Sequence, residues 1–348
     1  MSTVQVISPA PRDRWGRLLS VSDRALPEHA PGWTDAMCAS GRFSDVSRHY
    51  SFDDGSEAVL PLVARRGLAG IGGWAGSYPA AWGIGGPLDT GLTPRAARLI
   101  LRDLRGLGYQ RIGLRPNPLD GPVWSAAARA ENALSVPRRA HVLDLTEGVD
   151  AVWDGMSQSG RRNVRLARRA GVRVETGRGG ELLDQYYELF LSSVDRWAGN
   201  QNEPLALARA RARLRDPIGK LRAMGSHLGE SFCVILAYLD DGPVAGAIVL
   251  YGPRTGHGTR AAMDRDRIGR SHASELVYWT AIELACESGC TTFHMGESGT
   301  SRTLAQAKEK FGARAHDYAE VRIERLPWTR ADTAVRNGIK RMIGFSDE

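Results

Sequence analysis

Lys308 and Lys310 flank Glu309 just ahead of Phe311-Gly312, and they are two of only four lysines in the chain. An ammonium is a compact point charge, suited to neutralising a phosphate or the oxyanion that develops during acyl transfer. Shortly upstream, Phe293-His294-Met295-Gly296-Glu297-Ser298-Gly299 reads as a strand ending in small and polar residues. Such strand ends commonly present side chains and backbone N–H groups to a ligand. An imidazole is a natural general base, which makes His294 a candidate, although its alternation with Phe293 and Met295 equally suits burial against a sheet. Glu297 is a candidate to contact or position an amine. The densest charge feature is Arg161, Arg162, Arg165, Arg168, Arg169 and Arg173, with no acid between Asp154 and Glu175. On a helix from Gly160 to Ala170, Arg161, Arg165, Arg168 and Arg169 share one face, and Val164, Ala167 and Gly171 lie on another. Guanidinium forks match phosphate oxygens bidentately, so the stripe suits a polyphosphate or an RNA backbone, with a solvated face as the plain alternative.

The overall charge is a weaker guide. The net charge is +7, yet 42 of the 46 basic residues are Arg, a bias that GC-rich coding imposes everywhere. A single Arg therefore carries little information, and a scarce Lys carries more. A chain of 348 residues suggests two domains, and 42% apolar residues with 24% charged is an ordinary globular composition. No apolar run is long enough for a membrane-spanning helix, and Met1 to Trp15 has charges and prolines without an apolar core, so no signal peptide is expected. Four cysteines are too few for a disulfide scaffold, and the Cys286/Cys290 pair lacks the companions of a zinc site. There is no G-x-S-x-G elbow, no H-E-x-x-H, no P-loop and no plausible Cys/His pair, which sets aside hydrolase, zinc-enzyme and kinase chemistry. A cytoplasmic protein with no metal and no resident cofactor is expected.

The elements that must hold these residues follow an α/β pattern. Asp45 to Phe52 and Glu57 to Ala64 are strand-like runs joined by Asp53-Asp54-Gly55. Gly67 to Gly91 is Gly-rich and aromatic, without the strand-then-helix context of a dinucleotide fingerprint. Pro94 opens a helix to about Leu107, Gly108 closes it, and Gln110 to Arg115 is a strand. A short strand is expected at His141 to Leu145 and a long helix from about Glu181 to Trp197. Phe232 to Leu239 and Val244 to Tyr251 form a hairpin across Asp240-Asp241-Gly242. A strand near Thr259 to Met263, a buried helix from Ser271 to Glu287 and a strand from Thr291 to Met295 follow. Leu101, Leu104, Gly108, Ile112 and Leu114 match Ile282, Ala285, Gly289, Phe293 and Met295 in spacing, which suggests two copies of one α/β unit. Val335, Ile339 and Met342, beside Arg336, Lys340 and Arg341, predict a helical tail that packs on its own domain, with contact to a membrane surface as the alternative.

Several of these segments resemble the Fem-type branch of the GNAT acyltransferase superfamily, which holds the peptidoglycan bridge-forming aminoacyltransferases. Ser159-Gly160-Arg161-Arg162-Asn163-Val164-Arg165-Leu166-Ala167-Arg168-Arg169-Ala170-Gly171-Val172 is similar to the family's basic helix-to-strand junction. Ala307-Lys308 through Phe311-Gly312-Ala313 resembles its F-K-x-x-F-G-A signature, with Ala307 in place of the aromatic. Gly296-Glu297-Ser298 stands where many members have G-R-S, and Leu60-Pro61-Leu62 and Gly85-Gly86-Pro87 resemble first-domain landmarks. The likeness spans about residues 30 to 325.

The resemblance implies two tandem GNAT-like domains of mixed α/β sheets: residues 1–145, residues 146–325 with the transfer site, and a helical tail at 326–348. It implies attack of an amine on an activated acyl group, with Lys308 stabilising the carbonyl oxyanion or a nearby phosphate. Arg161, Arg162, Arg165, Arg267, Arg270 and Ser298 become candidates to bind acidic donor or acceptor groups, beside Lys308, Glu297 and His294 as catalytic candidates. The expected donor is an aminoacyl-tRNA and the acceptor an amine, on a peptidoglycan precursor or a natural product. CoA-binding relatives have an R/Q-x-x-G-x-G/A loop, whereas Asp266-Arg267-Ile268-Gly269-Arg270-Ser271 has Asp first and Ser last. That departure disfavours acetyl-CoA or another acyl-CoA, which stays as the alternative donor. A binding protein that kept the fold without turnover is a further alternative.

Overall fold

The computed structural model describes residues 4–67, 73–79, 81–240, 242–299 and 301–342. Part of the Gly-rich stretch (68–72 and 80), Asp241 of the hairpin turn and Ile343 of the tail lie outside the described residues. In chain order the first elements are β1 (Val4–Ile7), α1 (Arg12–Val21), α2 (Pro31–Ala39), β2 (Ser44–Asp45), β3 (Arg48–Phe52), β4 (Glu57–Leu60) and β5 (Val63–Arg66). Next come β6 (Gly73–Gly76), β7 (Leu88–Asp89), α3 (Pro94–Gly106), β8 (Arg111–Leu114), α4 (Gly121–Ala130) and β9 (Leu134–Asp144). Then follow α5 (Gly148–Gly155), α6 (Gln158–Arg169), β10 (Arg173–Arg178), α7 (Leu183–Asn200), α8 (Leu205–Arg215) and α9 (Ile218–Leu228). The chain continues with β11 (Phe232–Leu239), β12 (Gly242–Tyr251), β13 (Thr255–Met263), α10 (Arg265–Ile268) and α11 (Ala273–Glu287). It closes with β14 (Thr292–Glu297), α12 (Arg302–Glu309), β15 (Arg314–Glu324) and α13 (Trp328–Met342).

Two units result. The first comprises Met1–Ala140, Gly252–Thr255 and Ala315–Trp328, and the second His141–Tyr251, Gly256–Arg314 and Thr329–Glu348. The first unit holds a four-stranded sheet, β1-β3-β4-β7, and a second sheet in which residues 134–140 of β9, then β15, β8, β6, β5 and β2 lie side by side. Pro61 explains why Glu57 to Ala64 is two strands rather than the one expected. It has no N–H for a ladder, so β4 pairs with β3 while β5 leaves to pair with β2 and β6. The second unit orders its strands β10-β11-β12-β13-β14, then His141–Asp144 of β9. One side chain set of β11 and β12, including Cys233, Ile235, Ala237, Ala245, Ala247 and Val249, packs with Val164 and Ala167 of α6 and with α11 in one core. α11 buries Ala273, Leu276, Val277, Trp279, Ala281, Ile282 and Ala285, because it lies between that sheet and α6 and needs no wide polar face.

The duplication extends further than its opening helix and strand. The starts of β8 and β14 are 181 positions apart (Arg111, Thr292), and so are the starts of α4 and α12 (Gly121, Arg302). The two stop glycines, Gly108 and Gly289, have φ of +78° and +77°. The fold is therefore mixed α/β with two copies of one unit.

Three local expectations change. β9 begins at Leu134, well before His141, because Leu134 to Ala140 also runs extended. α7 starts at Leu183 and runs on to Asn200, later at both ends than the expected Glu181 to Trp197, and it buries Leu183, Tyr186, Leu189, Phe190, Ser193, Val194 and Ala198. The tail helix forms but does not pack as expected: Val335 is 61% exposed, Ile339 44% and Met342 79%. No helix among the described residues is long and apolar enough to cross a membrane.

Candidate active site

Lys308 lies in the last turn of α12, which starts with a cap: Ser301 Oγ accepts the N–H of Leu304 at 3.2 Å. The helix ends because Gly312 takes φ +86° and Phe311 drops into the core, where its ring meets Tyr278 at 5.9 Å. Anchored this way, Lys308 points inward and is only 3% exposed. Its Nζ donates to the carbonyls of Gly296 at 2.9 Å and Glu297 at 2.8 Å. Burial pushes the Lys308 ammonium down to about 8, with the charge of Glu297 working the other way.

Those contacts depend on a kink at the end of β14. Gly296 has φ +76°, which an L side chain rarely adopts, and a Cβ there would stand 3.3 Å from the Gly258 carbonyl. Peptide planarity then fixes the rest. Carbonyls of Gly296 and Glu297 aimed at Lys308 turn the N–H groups of Glu297 and Ser298 to the opposite side. The Ser298 hydroxyl is buried and makes no hydrogen bond. His294 is buried, with its ring 6.0 Å from that of His257 on β13. Glu297 is half-buried.

Beside β14, β13 carries a feature the sequence reading missed. Ile248 pairs with Arg260 and Val249 with Gly258, so Thr259 is an extra residue, a β-bulge. The Thr259 hydroxyl donates to the Ile248 carbonyl at 3.0 Å, which holds the bulge in place. Gly258 to Ala261 is not fully buried although β12 and β14 flank the strand. The alternating Gly256-His257-Gly258 was the available signal, since glycine inside a strand often marks a bulge or a close approach.

The arginine helix is tied to the same structure. Ser157 caps α6 through its Oγ, and its N–H donates to the Lys310 carbonyl at 2.9 Å. A Cβ at Gly160 would meet that carbonyl at 2.7 Å, so this position needs glycine. Arg161 turns inward and donates to the carbonyls of Trp153, Asp154 and Met156, satisfying the end of α5. Arg165 stacks over Trp153 at 5.3 Å, and Arg168 pairs with Glu283 at 3.0 Å. Arg162 and Arg169 are exposed. Of the arginine stripe, then, Arg161 and Arg165 serve α5 while Arg162 faces solvent.

Arg267 and Arg270 are exposed in the turn before α11. There the Asp264 carboxylate accepts the N–H groups of Asp266 and Arg267, both at 3.1 Å. The hydroxyl of Ser271 is buried without a hydrogen bond. Among the described residues no group of His, Cys, Asp and Glu is arranged to hold a metal ion.

Comparison with known proteins fits this arrangement. Residues 156–307 match the acetyltransferase (GNAT) domain. The fold is similar to the crystal structure of FemX (TM-score 0.57, 11% identity, covering 91% of this chain and 96% of that one). It is also similar to a conserved protein of unknown function from Bacteroides thetaiotaomicron (TM-score 0.55, 11% identity, 92% and 99% covered). A tandem GNAT protein from the clavulanic acid biosynthesis pathway aligns with TM-score 0.52 and 14% identity over 92% and 98% of the two chains. No curated protein matches the chain by sequence. At these identities the likeness is one of fold. Residues 156–307 are thus similar to a GNAT domain, and the fold as a whole is similar to those of FemX and the tandem GNAT protein.

Proposed function

We propose that this protein is an N-acyltransferase that moves an aminoacyl group from an aminoacyl-tRNA to an amine, forming an amide. The observation that carries the reading is the buried Lys308 ammonium, held on the Gly296 and Glu297 carbonyls beside the β13 bulge. The ester of an aminoacyl-tRNA is already activated, so catalysis needs positioning and oxyanion stabilisation rather than a strong base. Lys308 supplies the positive charge, and the N–H groups of Glu297 and Ser298 are oriented as a unit by it. Glu297 and His294 are the candidates to take the amine's proton. Exposed Arg162 and Arg169 supply cations that suit an RNA backbone. FemX and the tandem GNAT protein share the fold and lend the transfer reading its plausibility. The acceptor, on a peptidoglycan precursor or a natural product, is an amine.

The turn before α11 favours tRNA over CoA. Two of its N–H groups, which a pyrophosphate would want, are already taken by the Asp264 carboxylate, which also adds negative charge. One observation favours an acyl-CoA donor: the unpartnered Ser271 hydroxyl, just before α11. Incubation with an amine pool and tRNA charged with labelled amino acids, then with acetyl-CoA, separates the donors. Amide formed from charged tRNA is expected, and turnover with CoA alone overturns the choice of donor. A Lys308→Ala protein that binds substrates but has lost its rate supports an enzyme, whereas loss of affinity alone indicates a binding protein.

A further inference from the structure

The tail helix α13 has an apolar side and several cations, yet none of its described residues is buried. From Arg330 to Ile339 every residue is exposed, as are Arg341 and Met342. Ala331, Val335, Ile339 and Met342 recur at helical spacing and form one side of the helix. Arg336 stands at one edge of that side and Arg341 at the other, with Arg330 toward the back. Against Arg330, Arg336, Lys340 and Arg341 the helix carries a single acid, Asp332, one turn before Arg336. A helix of 15 residues with Gly338 inside it is marginal in water without packing, so its apolar side calls for a partner.

α8 shows the same kind of helix where the fold makes use of it. It too exposes Leu207 and Leu214, but it buries Ala208 and Ala212. Its Arg209 pairs with Asp195 and its Arg211 with Glu203, both at 2.6 Å, so these charges are answered within the unit. α13 has no such buried stripe, and within its own length four cations meet one carboxylate.

Charge and apolar surface together select the occupant. An RNA backbone would meet the arginines and leave Val335, Ile339 and Met342 in water. A second copy of the helix would cover those residues but bring Arg336 and Arg341 against cations of the same kind, which is repulsive. An anionic bilayer meets both needs, because headgroup phosphates suit the arginines and acyl chains take the apolar side. We infer that α13 is a surface anchor that lies in the headgroup layer of an anionic membrane, with Val335, Ile339 and Met342 toward the acyl chains. It lies along the bilayer rather than across it, since it is not long and apolar enough to span. The inference goes beyond the acyl-transfer reading and does not depend on it.

The test is cosedimentation of the whole protein with vesicles of equal parts phosphatidylglycerol and phosphatidylcholine, and with vesicles of phosphatidylcholine alone. Neither lipid offers a primary amine, so acyl transfer does not enter the measurement. Binding to the anionic vesicles is expected to be at least about tenfold tighter than to the neutral ones. Val335→Gln together with Ile339→Gln keeps good helix formers at two exposed positions and should weaken that binding about tenfold. Arg336→Gln together with Arg341→Gln should weaken it about fivefold for each charge removed. Equal binding by wild type and both double variants overturns the inference, because the contact then lies elsewhere in the chain. Weakening in the arginine variant alone shows a site for polyanions such as RNA and overturns the choice of a lipid. No binding to anionic vesicles also overturns it, and self-association lost in the Val335/Ile339 variant would then identify a second copy as the occupant.

Discussion

The two copies of the α/β unit share a backbone plan and differ in what they place on it. In the first copy, strand β8 is followed by Arg115-Pro116-Asn117, where Asn117 Oδ1 accepts the Leu119 N–H at 3.0 Å and Nδ2 donates to the Arg24 carbonyl at 3.2 Å. In the second, β14 runs on into Gly296-Glu297 and kinks. The 181-residue offset puts Ala127 of α4 opposite Lys308 of α12. Ala127 is fully buried among apolar neighbours, and Lys308 is buried against two carbonyls. The difference shows that the unit's stability does not require the lysine. A buried ammonium costs free energy that a methyl group at the same place does not, and such a cost marks a functional position.

This asymmetry can be attacked directly. Lys308→Ala should lower kcat/KM for amide formation by about 100- to 1000-fold with little change in circular dichroism. Asn117→Ala should instead cost roughly 1 kcal/mol of stability in a urea titration and leave the rate of the folded protein near wild type. Equal loss of rate in both proteins would end the claim that only one copy is chemical.

The next effect is in pH. Lys308 binds its proton less tightly when folded, so its ammonium is present at pH 7 and is lost as pH rises through about 8. Rate supported by that charge should fall about tenfold per unit above pH 8 and the fall should vanish in Lys308→Ala. Stability runs the opposite way. Between about pH 8 and the ordinary lysine value the unfolded chain holds more protons at this site than the folded one. Raising pH across that window therefore removes the cost of burying the charge, so the site's contribution to unfolding free energy rises. A pH-stability profile of wild type against Lys308→Ala reads this directly.

Smaller effects separate structural from surface arginines. Arg161→Ala removes three bonds to the end of α5 and should cost about 1–2 kcal/mol in denaturant unfolding, whereas Arg162→Ala should cost nothing measurable. If tRNA binds this face, Arg162→Ala should instead reduce the salt dependence of binding by about one counterion. Smallest is the pair Gly108→Ala and Gly289→Ala. Both residues have φ near +78° and no close neighbour to a Cβ, so each should cost about 1 kcal/mol, and unequal costs would show that the copies are not mechanically equivalent.

Much of this architecture was legible in the residues because it obeys local rules. Pro94, Gly108 and the apolar spacing of Leu101 and Leu104 specify α3 and its stop without reference to the rest of the chain. The Lys308 motif was legible by scarcity, one ammonium where arginine is the rule. What stayed hidden was the destination of side chains. Nothing local says that Arg161 bends back to α5 while Arg162, its neighbour, stays in solvent. The Thr259 bulge depends on a register between β12 and β13, and register is a property of two strands. The ion pair of Asp216 with Arg260 joins residues far apart in sequence, which only the tertiary fold brings together.

The contact between Gly160 and the Lys310 carbonyl reaches beyond one molecule's energetics. Because there is no room for a side chain at 160 unless the segment after Lys308 shifts, the two stretches are bound to change together or not at all over evolutionary time. Among descendants of this sequence, a side chain at 160 should appear only alongside a rebuilt Lys308–Gly312 turn, and a record of such paired changes would trace when the site itself was remodelled.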